Sequence, residues 1–190
     1  MKRNNILESM GTLLQIIDES YEKRAWHGTN LRSSIKGLTF DQAAWRPAPV
    51  RHNIWKIVVH CAYWKYIVRR RLLGEKKGSF PLKGSDWFKR PMLATEKAWR
   101  ADIALLEETH RSMRDAIAGL TSSGLKRNPT GSTRTNMQTI SGIASYDLYH
   151  AGQIQFAQTP SKRKIVTSNS EFERRFNEDY FCSDCGCNHV

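Results

Sequence analysis

The sequence lacks any run approaching the roughly 18 apolar residues that a membrane-spanning helix needs. No membrane partner is therefore expected. The first residues, MKRNNILESMGTLLQII, do not read as a secretion signal, because Glu8 and Ser9 interrupt the apolar run and no small-residue cleavage site follows. Cysteine is scarce. Cys61 stands alone in an apolar segment, and Cys182, Cys185 and Cys187 crowd the last nine residues. That is no disulfide framework, and it predicts a cytoplasmic protein. Period-two alternation of strand length is almost absent, and no internal repeat appears. Sheet architectures and repeat arrays are thereby set aside.

What is present suffices for one domain with a real core and a tail. The chain has 190 residues, 39% of them hydrophobic, with six tryptophans. Such aromatic content argues against wholesale disorder. The formal net charge is +12. A balance like this raises nucleic acid or an acidic surface as a partner. Much of the charge lies between Lys65 and Arg90, in KYIVRRR, EKKG and FKRP. No interleaved aromatic stacking pattern accompanies it, so a solvated helix end and loop is the favoured reading and nucleic acid the lesser one.

Helical periodicity recurs in four long segments, at about 5 to 24, 52 to 73, 95 to 119 and 136 to 157. Ile6, Met10, Leu13, Leu14 and Ile17 form the stripe of the first. Gly28 bends the chain after it, and a second helical piece runs to Leu38. Thr39 can cap a short turn through Gln42, and Pro47 and Pro49 then force extended backbone. The second long helix is apolar on most sides, from Ile54 to Tyr63, and stops at Gly74. Phe80, Trp87 and Phe88 are expected to pin the glycine- and lysine-rich connection to the domain surface. Trp99, Ile103, Leu106, His110, Met113 and Ile117 make the inner stripe of the third helix. TSSGLKRNPTGSTRT reads as a loop, and Pro160 ends the fourth helical pattern. The expected class is all-α, most simply a four-helix bundle over 1–158 with long inter-helix loops. Residues 159–190 form a polar, cysteine-containing extension, expected to be poorly ordered, with one short helix placing Phe172, Phe176 and Tyr180 on one face.

In a helix bundle, cofactor and metal sites are built from side chains that face the core. Of the six histidines, His60 lies on the seam Asn53, Ile57, His60, Trp64, Ile67, and His150 on Ile143, Tyr146, His150, Gln153, Ala157. Two inward imidazoles on two helices could share a divalent zinc, nickel or iron. From the residues alone, the favoured alternative is two buried histidines hydrogen-bonded to backbone or to Tyr146. His110, on an inner stripe, is the best candidate for a further ligand, whereas His27 and His52 are expected to serve loop packing.

The segments WHGTNLRSSIKGLTFDQAAWRP, RHNIWKIVVHCAYWKYIVRRRLLG, GSFPLKGSDWF, LLEETHRSMRDAIAGL and GIASYDLYHAGQIQ occur in this order. As an ordered set covering about residues 5 to 157, they resemble the DinB/YfiT-like superfamily of bacterial four-helix bundles. The resemblance implies a metal triad of one histidine on the second helix and two, at i and i+4, on the fourth. His60 in VVHCAYW matches the first position and His150 in YHAGQI the last. The middle position holds Tyr146 where the family pattern has histidine. Tyrosine ligates a metal only as phenolate, which its ordinary pKa of about 10 opposes. A neutral phenol would instead donate a hydrogen bond to His150 or to a metal-bound water.

The resemblance also implies chemistry. Members include transferases and isomerases that use low-molecular-weight bacterial thiols, and the same metal site would support a hydrolase. The expectation is a metal-dependent hydrolase or thiol-dependent transferase with an incomplete triad. Its ligand would be a low-molecular-weight thiol or another small molecule. Arg69, Arg70, Arg71, Lys76 and Lys77 would attract the carboxylates of such a thiol. The alternative is a non-catalytic bundle that binds a partner or nucleic acid through its basic surface. Relatives often form dimers, which the aromatics of this chain would allow. In the tail, CSDCGCNH offers Cys182, Cys185, Cys187 and His189 as metal candidates. No second half of a zinc knuckle accompanies them, and four ligands within eight residues are too compressed for an ordinary tetrahedral site.

Overall fold

A computed structural model describes residues 2–46, 48, 50–76, 78–84, 86–90, 95–129 and 132–162, with side chains placed from Met10 to Gln158. Seven helices lie among them: α1 (Lys2–Tyr21), α2 (Leu31–Ser34), α3 (Phe40–Ala44), α4 (Ile54–Leu73), α5 (Glu96–Ala118), α6 (Ser122–Lys126) and α7 (Asn136–Lys162). The described residues contain no strand. All of them except Ser161 and Lys162 lie in the compact unit Met1–Pro160. The expected metal candidates Cys182, Cys185, Cys187 and His189 lie outside the described residues, as do Pro47, Pro49 and the expected Phe172–Tyr180 helix.

Polar residues set the helix starts. Asn30, Thr39, Asn53, Thr95 and Thr121 each accept, through a side-chain oxygen, a backbone N–H from the first turn of the helix that follows. Thr39 and Gln42 form a full capping box. Gly74 ends α4 in the left-handed region, at φ 70°. Four boundaries differ from expectation. α1 stops at Tyr21 because the Glu22 and Lys23 amides both turn back onto the Asp18 carbonyl. The second helical piece is confined to α2, since Gly37 at φ 74° redirects the chain before Leu38. The expected loop after α5 contains α6, nucleated by its Thr121 cap. α7 runs past Pro160 to Lys162; the proline lacks the N–H that would bond back into the helix, and the helix ends within two residues of it.

The apolar core has two parts. One gathers Trp55, Val58 and Ala62 of α4, Trp99 and Leu106 of α5 and Ile154 of α7 around Leu31, Ile35 and Ala43. The other joins Leu13 and Ile17 of α1, Val68 and Leu72 of α4, Met113 and Ile117 of α5 and Ile140, Ile143 and Ala144 of α7. Tyr146 packs against both. The connection after α4 reaches deeper than surface pinning. Phe88 is buried in the first cluster, and its ring lies 5.2 Å from that of Tyr63 and 5.1 Å from that of Phe80.

The basic run from Lys65 to Arg90 is only partly a solvated face. Lys65 is fully buried and ion-paired with the equally buried Asp147 of α7. Arg90 pairs with Asp102, and Arg69 with Glu75. Arg70 donates to the Glu75 carbonyl and lies over the Tyr66 ring. Lysine on a helix seam reads as charge in sequence, and only its partner 82 residues away in the chain explains its burial. No helix among the described residues is long and apolar enough to cross a membrane.

The buried pair yields a stability prediction. Lys65→Met leaves the buried Asp147 carboxylate without its ion-pair partner, a loss of about 3–5 kcal/mol. Lys65→Met/Asp147→Leu removes both charges and recovers most of it. Urea unfolding of the two variants beside the wild type reads both values.

Candidate functional site

The site is built where α4, α7 and the loop before α5 meet. His60 projects from the middle of α4 and is 5% exposed; His150 projects from α7 and is 3% exposed. Their ring centroids are 5.2 Å apart, nearly perpendicular. Tyr146, one turn before His150, places its ring 4.3 Å from that imidazole. The structure thus brings together the three residues singled out as His60, Tyr146 and His150.

Hydrogen bonds fix the protonation of each ring. His60 Nδ1 lies 3.0 Å from the Asp86 carbonyl oxygen and 3.1 Å from the Asp86 carboxylate Oδ1. Both are acceptors, so Nδ1 carries the proton and Nε2 presents its lone pair. The Tyr146 hydroxyl donates to that Nε2. His150 Nδ1 lies 2.7 Å from the Gln153 amide oxygen, while the Gln153 amide nitrogen donates to the Tyr149 hydroxyl at 2.8 Å. His150 Nε2 is therefore also an acceptor, and this buried atom has no hydrogen-bond partner. An unpartnered buried acceptor costs about 1–3 kcal/mol.

The loop supplies what helix periodicity does not foretell. Asp86 has φ 57°, the left-handed region, and is the one non-glycine residue there among those described. Its carboxylate also accepts the Trp64 indole N–H at 2.8 Å. Two bonds onto α4 hold the strained backbone in place. The neighbouring Trp87 stacks on His60 at 3.7 Å and on His52 at 3.6 Å between ring centroids. His52, expected to pack the loop between the first two long helices, instead stacks on the loop after α4. His27 is exposed.

His110 is not part of this site. It is 1% exposed and stacks on Tyr21 of α1, with centroids 3.6 Å apart. The candidate further ligand of the sequence reading thus belongs elsewhere in the core. Its inner-stripe position was legible, but the direction it faces depends on how α5 is rotated against α1. Asp86, Trp87 and Gln153 were not foreseen as site residues; only the SDWF and YHAGQIQ strings hint at them.

Burial sets the electrostatics. Desolvation lowers the His60 pKa, against the opposing pull of the Asp86 carbonyl and carboxylate. It pushes His150 down to about 4, which the Gln153 hydrogen bond opposes and the His60 and Lys65 charges reinforce. Desolvation pushes the Tyr146 phenol well above its ordinary range, assisted by nearby Cys61 and Asp86. At neutral pH the site therefore holds two neutral imidazoles and one neutral phenol. Among the described residues, no group of three or more His, Cys, Asp or Glu side chains is arranged to hold a metal ion.

The profile of the DinB superfamily matches residues 24–154. The chain belongs to the DinB superfamily. That span includes His60, Asp86, Tyr146 and His150. No curated protein and no solved structure matches the chain significantly.

The depressed imidazoles of this DinB protein make its stability depend on acid. Below pH 6.5 the unfolded chain binds a proton at each histidine, whereas folded His150 resists protonation until about pH 4. The unfolded state then binds more protons, so stability falls as pH falls through that window. One such histidine contributes a slope of up to about 1.4 kcal/mol per pH unit. His150→Gln reduces the slope between pH 6.5 and 4 by about that amount, as read by urea unfolding across the range.

Proposed function

We propose that this DinB-superfamily protein binds a small molecule at the His60–Tyr146–His150 centre and acts there through hydrogen bonding and proton transfer, without a resident divalent metal. We further infer that its four long helices make the four-helix bundle of the family. The observation that carries the reading is the chain of contacts from the Asp86 carboxylate through the His60 imidazole to the Tyr146 hydroxyl, whose ring lies 4.3 Å from the His150 imidazole with its unpartnered Nε2.

The residues do not fit a resident catalytic zinc. Such a site takes three protein ligands and keeps one open position. Here the site offers two imidazole nitrogens, and one of them already accepts a hydrogen bond from Tyr146. The third position holds a phenol whose ionisation burial opposes. The two histidines are nonetheless pre-oriented. In each, an oxygen acceptor on Nδ1 sets the tautomer and aims Nε2 into the site, the arrangement that outer-shell partners give to working imidazoles.

The same arrangement suits proton chemistry. Asp86 orients His60, and His60 Nε2 holds the Tyr146 hydroxyl as a neutral donor; burial opposes both phenolate and imidazolium here, which leaves the unpartnered Nε2 of His150 as the acceptor open to a bound ligand. His150 Nε2 is placed to accept a hydrogen bond from a ligand hydroxyl or thiol. A thiol or alcohol is therefore the ligand class that the donor and acceptor pattern favours, in keeping with thiol transfer or hydrolysis as the reaction class. The carboxylates of such a thiol have fewer free cations at the end of α4 than the sequence suggested, since Arg69 and Arg70 are engaged with Glu75.

Elemental analysis tests the reading. Wild-type protein equilibrated with zinc, nickel or ferrous iron and then desalted is expected to retain well under one metal per chain. Tyr146→His restores a third nitrogen and is expected to retain about one. A wild type that keeps one equivalent, and loses it in His60→Ala, would overturn the proposal.

A further inference from the structure

A second polar centre lies deeper in the core, away from the hydrogen-bond chain of the first. Lys65 of α4, Asp147 of α7, His110 of α5 and Tyr21 of α1 contribute one polar side chain from each long helix. Each of these residues is at most 2% exposed. Tyr21 and His110 stack face to face, with an interplanar angle of 13°. The Lys65 ammonium lies 5.0 Å from the centroid of the Tyr21 ring and pairs with Asp147 Oδ2.

The hydrogen-bonding capacity of this centre is far from used. Tyr21 hydroxyl, both His110 nitrogens and Asp147 Oδ1 are buried, and none has a protein partner. Lys65 uses one of its three donors on Asp147. Buried polar groups are ordinarily paired, and each that is not costs about as much as a lost hydrogen bond. Four such atoms around one ion pair in a dry core would be hard to sustain within the narrow stability of a domain.

The unused groups are mixed in kind. The neutral imidazole offers one donor and one acceptor, the phenol offers both, the carboxylate oxygen accepts and the ammonium donates. An anion would meet Asp147, and a cation would meet Lys65. Neutral molecules that both donate and accept can meet every one of these kinds of group. The near-complete burial of every contributor admits only a very small one. Burial also pushes the His110 pKa down to about 2, with the Lys65 charge adding to the effect, so the imidazole stays neutral and keeps its acceptor.

We propose that Tyr21, Lys65, His110 and Asp147 form a closed, hydrated chamber in which internal water bridges the Lys65–Asp147 pair to His110 and Tyr21. Water is here a structural ligand that joins all four long helices at one point. It also explains how a fully buried ion pair persists, since the remaining valences of both ions are met.

A crystal structure of the whole chain, at a resolution that shows ordered solvent, tests this. Water is expected within hydrogen-bonding distance of a His110 nitrogen and of Asp147 Oδ1. His110→Gln keeps one donor and one acceptor and is expected to retain that water, whereas His110→Leu loses it. Water-17O relaxation of the wild type in solution is expected to report at least one long-lived water. A chamber free of solvent density in the wild type, with no long-lived water in solution, would overturn the proposal. So would an unchanged water in His110→Leu, because the bridge to the imidazole would then play no part.

Discussion

The Tyr146 hydroxyl, donating to His60 Nε2, joins α7 to α4 at the seam between the two apolar clusters. Around that contact each neighbour has one consistent role. Asp86 holds the His60 proton on Nδ1, so that Nε2 can receive the phenol. Trp64 holds Asp86, and Trp87 covers the face of His60. Gln153 holds His150 in the same tautomer, leaving its Nε2 turned inward without a partner. A histidine in place of Tyr146 would offer another lone pair to a metal. The phenol offers a proton instead, and the chemistry available to the site changes with that one residue.

The two polar centres of the core differ in what they can exchange with solvent. The His60 centre borders the loop carrying Asp86 and Trp87, both partly accessible. The Lys65 centre is enclosed by the four long helices. Yet they share helices at close quarters: Lys65 lies five residues after His60, and Asp147 follows Tyr146. Adjacent residues on a helix point about 100° apart, so one pair of helices serves two faces. The Lys65–Asp147 pair holds α4 and α7 together, which also keeps His60 within reach of Tyr146. Stability and site geometry therefore draw on the same helix pair.

Much of this was legible in the sequence, for identifiable reasons. The helices follow from apolar stripes and from end signals such as Thr39 and Gly74, which act within one turn of the chain. His60, Tyr146 and His150 were legible because helical spacing and the family pattern both place them inward. Lys65 was misread as surface charge, because nothing local marks its partner Asp147. His110 was assigned to the wrong centre, because an inner stripe fixes depth but not the neighbour it meets. Asp86 and Trp87 sit in a loop whose path depends on long-range contacts with His60 and Trp64, and no periodicity reports those.

The central claim concerns where two protons reside, and histidine side-chain nitrogen NMR reads it directly. At neutral pH, His60 and His150 are predicted to be neutral Nδ1–H tautomers. Tyr146→Phe is predicted to shift the His60 Nε2 resonance toward that of an unbonded acceptor, while His60 Nδ1 and His150 keep theirs. A His60 protonated on Nε2, or one whose Nε2 resonance ignores the loss of the Tyr146 hydroxyl, would contradict the account.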